Sequence, residues 1–123
     1  GDELMVLYGV PLKTDNDPQN AVNSAIEMLF SLENFNKKMK LEGLPKLEIG
    51  IGINFGNVVS GIIGSDQQMN YTVIGDNVNL AARLCSNAKP GEIIISNSVY
   101  NFLDDFTLTF DWQNNFDSEV TCA

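Results

Sequence analysis

Apolar residues recur at three- and four-residue intervals between residues 18 and 42, which predicts a long amphipathic helix. Asp17 and Pro18 are typical of a helix start, with Asp17 as the N-cap and Pro18 at the first helical position. Gly43 and Pro45 mark its end. A second helix is predicted over residues 76–87, and a short third one from Ser96 or Asn97 to Leu103. Alternating or short apolar runs predict strands at 3–8, 47–54, 58–63, 71–74, 92–96 and 106–110.

The order of these elements indicates how the strands pair. The turn residues at 55–57 predict a hairpin that joins strand 47–54 to strand 58–63, and the polar residues 65–70 are expected to form a connection. Helices separate the strands elsewhere along the chain. The fold class that follows is α+β: a ferredoxin-like βαββαβ order, with a mostly antiparallel sheet and helices 18–42 and 76–87 packed on one face.

Composition narrows the possible functions. The 123 residues make one domain at most, and the formal net charge is −9 with no histidine. An acidic chain is a poor partner for nucleic acid or an anionic membrane. The absence of histidine excludes catalysis by a histidine base and metal binding by histidine ligands. The two cysteines, Cys85 and Cys122, form no disulfide framework. With no signal peptide and no membrane-spanning run, we expect a cytoplasmic location, or the cytoplasmic face of a membrane-anchored parent protein.

The candidate chemistry lies in residues 70–84, where a short strand runs through Gly75 into the second helix. Asp76 is predicted to cap that helix. Asn79 and Arg83 are four residues apart, so both project from the same helical face. The planar guanidinium of an arginine fits phosphate oxygens, and an asparagine amide suits a sugar oxygen. The same spacing is also typical of an ordinary solvated face.

Four segments resemble the catalytic domains of class III nucleotidyl cyclases, the adenylate and guanylate cyclases. They read YTVIGDNVNLAAR at 71–83, GDELMVLYGVP at 1–11, IGIGINFGNVVSGIIG at 49–64 and KPGEIIIS at 89–96. The segments occur in the family's order and spacing over residues 1–103. The domain boundaries expected from this resemblance are a partial cyclase domain at 1–110 and an unassigned tail at 111–123.

The resemblance implies an intramolecular reaction that converts a nucleoside triphosphate to a 3′,5′-cyclic nucleotide and pyrophosphate. Asp2 would bind two divalent ions, Mg²⁺ or Mn²⁺, together with a second aspartate. Asn79 would orient the ribose and Arg83 would stabilise charge at the α-phosphate. Thr72 stands at the position that contacts the purine. Threonine there is found in a bacterial-type and soluble subgroup, which favours ATP. Because the family builds its site at a two-fold interface, the resemblance also implies a homodimer.

Three parts of the family's site have no counterpart in this sequence. These are the second metal-binding aspartate, a purine-reading residue upstream of residue 1, and a triphosphate-binding lysine, since no lysine follows Lys89. We therefore expect a fragment of an adenylate cyclase that is inactive alone. Three other hypotheses stay open: a guanylate cyclase, a non-catalytic cyclase-like module for dimerisation or regulation, and a nucleotide sensor without turnover.

Overall fold

The structure is a computed structural model that describes residues 2–65, 68–103 and 119–122. For residues 62–65, 68–72 and 119–121 it describes the backbone only. Three helices and five strands follow in chain order: α1 (Asp17–Leu41), β1 (Ile51–Ile53), β2 (Val59–Ser65), β3 (Gln68–Ile74), α2 (Asp76–Asn87), β4 (Glu92–Ile95), α3 (Asn97–Tyr100) and β5 (Glu119–Cys122).

Helix α1 confirms the first predicted helix, but its start differs in one detail. Asn16 is the N-cap, and Asp17 is already the first helical residue. The carboxylate of Asp17 is directed back to the preceding loop, where it accepts hydrogen bonds from the backbone N–H of Thr14 (2.9 Å) and from Thr14 Oγ1 (2.6 Å). The aspartate therefore fastens the loop to the first turn. At the other end, Gly43 takes a left-handed conformation (φ 74°) that ends the helix.

The Asp17 contacts predict a pH-dependent stability. The hydroxyl and the N–H of Thr14, and then the charge of Lys13, lower the pKa of Asp17 below its ordinary value of 3.8. The contribution of this carboxylate is therefore complete above that value and is lost as the pH falls through the lowered pKa. We expect Asp17→Asn to reduce the free energy of unfolding at pH 7, and the difference from wild type to shrink below pH 3.8. Denaturant titrations at both pH values test this.

Asp15→Asn is the matched control, because Asp15 is an exposed carboxylate in the same loop. Its effect on unfolding should be small at both pH values. An Asp17→Asn penalty that stays equal from neutral to acidic pH would show that the charge of Asp17 does not contribute.

The strands form two separate units with opposite pairing. Strand β4 lies between β1 and β5 and is parallel to both, whereas β2 and β3 form an antiparallel hairpin. The predicted hairpin between residues 47–54 and 58–63 is therefore wrong, and residues from Gln68 onward belong to β3 rather than to a connection. The β2–β3 hairpin and α2 supply the crossover that a parallel β1–β4 pair requires. All four residues of β4 are buried, as expected of a central strand.

The two long helices cover opposite faces of the three-stranded sheet. Ile93 and Ile95 of β4 share a buried cluster with α1, and Ile51 and Ile53 of β1 pack against it. Side chains alternate along a strand, so Gly52 faces the other side, where α2 lies. The α+β class is confirmed. The described strand pairings, however, are not mostly antiparallel, since two of them are parallel and one is antiparallel. The two helices also do not pack on one face, because Gly52 has no side chain and α2 can lie directly against that face of β1.

Two further predictions differ from the structure at the ends of the chain. Residues 3–8 form no strand with any described residue, and Leu4 is 83% exposed. Helix α3 ends at Tyr100 rather than at Leu103, with Ser96 as its N-cap. The predicted strand at 106–110 lies outside the described residues. In the described part of the chain, no helix is both long and apolar enough to cross a membrane.

Candidate active site

Helix α2 starts at a glycine whose backbone conformation other residues rarely adopt. Gly75 has φ 139°, and its carbonyl accepts hydrogen bonds from the backbone N–H groups of Val78 and Asn79, both at 3.2 Å. Gly75 is the N-cap, so the prediction that Asp76 caps the helix is wrong. Asp76 is the first helical residue, and its carboxylate lies in the first turn, where the helix dipole favours negative charge. Strand β3 thus enters α2 with almost no intervening loop.

One side of α2 rests directly on the backbone of the sheet. A Cβ atom built at Gly52 would lie 2.7 Å from the carbonyl oxygen of Ala81 and 2.8 Å from the carbonyl carbon of Leu84. Leu84 is buried on this side, as predicted, and its apolar neighbours on the helix are half-buried: Val78, Leu80, Ala81, Ala82 and Cys85. The orientation of the helix is therefore set by contact along its middle.

Asn79 and Arg83 lie on the opposite, exposed side of α2. The structure brings these two predicted site residues together on one face, one turn apart. No described carboxylate forms an ion pair with Arg83. The ion pairs found in the described ranges join Lys37 to Glu33 and Lys46 to Glu48. This face can therefore present a guanidinium and an amide to an anionic, hydroxyl-bearing ligand.

Thr72 lies in β3, where its backbone is opposite Gly61 of β2. The structure does not describe the side chain of Thr72, so its contact with a purine stays a prediction. The chain runs from Thr72 through Gly75 into Asn79 without leaving one strand–helix unit.

Asp2 is exposed in the segment before α1, and it is separated from the other site residues in sequence. Over residues 2–65, 68–103 and 119–122, no three His, Cys, Asp or Glu residues lie close enough together to hold a metal ion. A lone carboxylate does not complete a divalent-ion site, which takes six or more oxygen ligands. The two ions implied by the resemblance therefore need ligands beyond these residues.

Sequence reasoning missed a group of polar residues at the start of α2. Asn77, in the first turn, hydrogen bonds with Asn54 and Asn57 in the segment after β1. Ser98 of α3 donates to the carbonyl of Phe55 in the same segment at 2.8 Å. The signal available in the sequence was Asn77 itself, a polar residue inside the segment that carries the family resemblance. Its partner Asn54, in the segment after β1, is 23 positions away, which periodicity does not reveal.

Comparison with known proteins agrees with the resemblance seen in the sequence. The family model for the adenylate and guanylate cyclase catalytic domain matches residues 1–122. The receptor-type guanylate cyclase gcy-13 of Caenorhabditis elegans is 36% identical over 106 residues, which are 84% of this chain and 10% of that protein. The adenylate cyclase of Anabaena cylindrica is 38% identical over 88 residues, which are 68% of this chain and 16% of that protein.

Solved structures give the same result for the fold. The crystal structure of the guanylyl cyclase Cya2 superposes with a TM-score of 0.77 at 39% identity, covering 85% of this chain and 55% of that chain. The non-canonical dimeric guanylyl cyclase domain of the RhoGC fusion protein from Blastocladiella emersonii gives a TM-score of 0.68 at 30% identity, covering 77% of this chain and 50% of that chain. This chain thus spans about half of the matched structures and a much smaller part of the curated relatives. It belongs to the family of adenylate and guanylate cyclase catalytic domains.

Proposed function

We propose that this chain supplies one part of a nucleotidyl cyclase active site, which forms a 3′,5′-cyclic nucleotide and pyrophosphate from a nucleoside triphosphate. The observation that carries the proposal is the pairing of Asn79 and Arg83 on the exposed face of α2, with no described carboxylate neutralising the guanidinium. In a chain of net charge −9, a polyanionic substrate depends on such a local cation.

The reaction requires little covalent chemistry from the protein. The ribose 3′-hydroxyl attacks the α-phosphorus and pyrophosphate leaves, so catalysis depends on positioning and on stabilising charge at the phosphate oxygens. We assign orientation of the ribose to the amide of Asn79, and stabilisation of the α-phosphate charge to the guanidinium of Arg83. Asp2 is proposed as one carboxylate ligand of the divalent ions, Mg²⁺ or Mn²⁺.

The preferred nucleotide is proposed to be ATP, on the basis of Thr72 at the purine position. A hydroxyl can donate to or accept from adenine. Guanylate cyclase activity is the second candidate, because gcy-13 and Cya2 are guanylate cyclases and both resemble this chain. The cytoplasm, or the cytoplasmic face of a membrane, is the proposed location of the reaction.

The functional assembly is proposed to be a homodimer. The cyclase domain of the RhoGC fusion protein, which shares the fold, forms a non-canonical dimer. In this chain Asp2 lies in the segment before α1, the Asn79–Arg83 pair lies on α2, and the described residues hold no complete metal site. A second copy would add a second set of these side chains.

The test is cyclic nucleotide production from ATP and from GTP, with Mg²⁺ and with Mn²⁺, over a range of protein concentrations. This chain is assayed beside a longer protein in which both ends continue into a full cyclase domain. We expect product from the longer protein only, more from ATP than from GTP, and a rate that rises faster than linearly with concentration.

Each other outcome contradicts a stated part of the proposal. Turnover by this chain alone would show that the divalent ions bound by Asp2 need no ligand from outside this chain. A preference for GTP would contradict the ATP preference assigned on the basis of Thr72. A linear dependence of the rate on protein concentration would contradict a dimer that assembles in the assay. Nucleotide binding without product from either protein would favour a sensor, and loss of both binding and turnover would favour a non-catalytic module.

A further inference from the structure

The first turn of α2 is held through Asn77, on the side of the helix away from Asn79. Asn77 is half-buried between α2 and the segment that follows β1. The amide of Asn54 approaches both the backbone carbonyl of Asn77 (2.9 Å) and its side-chain oxygen (3.1 Å). The amide of Asn77 in turn donates to the carbonyl of Asn57 at 2.8 Å. Asn77 therefore uses both ends of its carboxamide on one neighbouring segment.

That segment is itself fixed to the sheet. Ser98 Oγ donates to the carbonyl of Phe55 at 2.8 Å and lies 3.4 Å from Asn54 Oδ1. The backbone N–H of Ser96 donates to the carbonyl of Ile53 at 3.0 Å. Asn77 is thus bound to a part of the molecule that strand β4 and helix α3 hold in place.

Gly56 keeps the segment close enough for these bonds. A Cβ atom at Gly56 would overlap the carboxamide of Asn77, so a larger residue there would displace the Asn77 side chain. The close approach and the three hydrogen-bond contacts form one clasp, which consists of Asn54, Gly56, Asn57 and Asn77.

Helix α2 has two attachments of different kinds. Its middle rests on Gly52, next to the backbone of Ala81 and Leu84, and this close backbone contact resists separation from the sheet. Contact along the middle leaves the ends of a helix able to swing. The clasp holds the first turn, where Asn79 lies two residues from Asn77. Arg83 lies beside the middle contact and depends on the clasp less.

We propose that Asn77 is a positioning residue for the cyclase reaction, since the clasp sets where Asn79 points while Gly52 sets where Arg83 points. This inference rests on the proposed function. It assigns to Asn77 no contact with the nucleotide.

Two measurements on the cyclase that carries this chain test the proposal. The first is hydrogen–deuterium exchange at the amides of Val78 and Asn79, which needs no turnover. We expect Asn77→Ala to accelerate exchange there without accelerating it at Leu84, which rests on the sheet. Asn87→Ala is the matched control. Its amide donates to the carbonyl of Arg83 (2.9 Å) at the far end of the same helix, so exchange in the first turn should not change.

The second measurement is kcat/KM for the nucleotide, at temperatures where each variant is fully folded. Asn77→Ala and Asn54→Ala should each reduce it about tenfold, less than the effect of misplacing a group by a full ångström. The double variant should be worse than either alone. Asn77→Ala leaves the bond from Asn54 to the backbone carbonyl of Asn77, and Asn54→Ala leaves the bond from Asn77 to the carbonyl of Asn57. In an Asn79→Ala background, Asn77→Ala should change kcat/KM less than about twofold, whereas beside Arg83→Ala it should keep its full effect.

The outcomes separate the clasp from the proposed function. Unchanged exchange at Val78 and Asn79 would overturn the clasp. Faster exchange with an unchanged kcat/KM would overturn the positioning role, as would an Asn77→Ala effect that persists in full without Asn79. If wild type makes no cyclic nucleotide, the proposed function fails, and the positioning role fails with it, while the exchange data still decide whether Asn77 holds the helix.

Discussion

Replacing Arg83 with alanine is expected to lower the turnover of the active cyclase by about 10²-fold or more, the usual cost of deleting one donor to a developing oxyanion. Arg83 is exposed on α2 and has no described ion-pair partner, so its removal should cost little stability. The effect should therefore appear in kcat, with the melting temperature unchanged. Steady-state kinetics and thermal unfolding of the same preparations check both statements.

Two variants define the cause of that loss. Arg83→Lys keeps the charge but not the planar fork, so it should recover only part of the activity. Lys89→Ala removes an exposed cation just beyond the same helix, and its turnover should remain near that of wild type. A loss below about threefold in Arg83→Ala would exclude Arg83 from the mechanism, because one charge-stabilising donor is worth far more.

Gly52→Ala is expected to destabilise the fold by about 2–3 kcal/mol, near the upper end for overpacking of a well-packed core. The added methyl group would meet backbone atoms of α2, including the carbonyl oxygen of Ala81 at 2.7 Å. Backbone atoms cannot rotate away as a side chain can, so the helix must move as a unit. Chemical denaturation of wild type and variant gives the difference in the free energy of unfolding.

Gly61→Ala is the matched control within the same domain. Gly61 is also a strand glycine, but a Cβ atom there would have no neighbour within 4 Å among the described atoms. Its effect should stay within about 0.5 kcal/mol, as for most substitutions away from packed contacts. Equal losses at Gly52 and Gly61 would show that the glycine face of β1 does not seat α2. A loss confined to Gly52 would also predict reduced turnover, since Arg83 moves with the helix.

Local signals in the sequence were sufficient for the elements with a strong period or clear ends. The apolar stripe and the Asp17–Pro18 pair located α1 to within one residue at each end. The predicted range of α2 matches Asp76–Asn87, and the one-face placement of Asn79 and Arg83 follows from helical geometry alone. The buried isoleucines of 92–95 likewise marked β4.

Pairing between distant segments could not be predicted in the same way. Alternation in residues 47–54 identifies strand-like residues but not their neighbour, so the sequence predicts the nearest apolar run as the hairpin partner. The partner in the structure is β4, about 40 residues later. Residues 3–8 have the pattern of a strand, yet a strand forms only beside another strand, and no described residue pairs with them.

The sequence by itself determined the family, the two long helices and the shared face of Asn79 and Arg83, because each depends on residues close together along the chain. Only the tertiary structure decided that β1 lies parallel to β4, that α1 and α2 cover opposite faces of the sheet, and that Asn77 fastens α2 to the segment after β1. Those features join residues about 20 to 75 positions apart. Their free energy comes from packing and hydrogen bonds that exist only once the chain has folded.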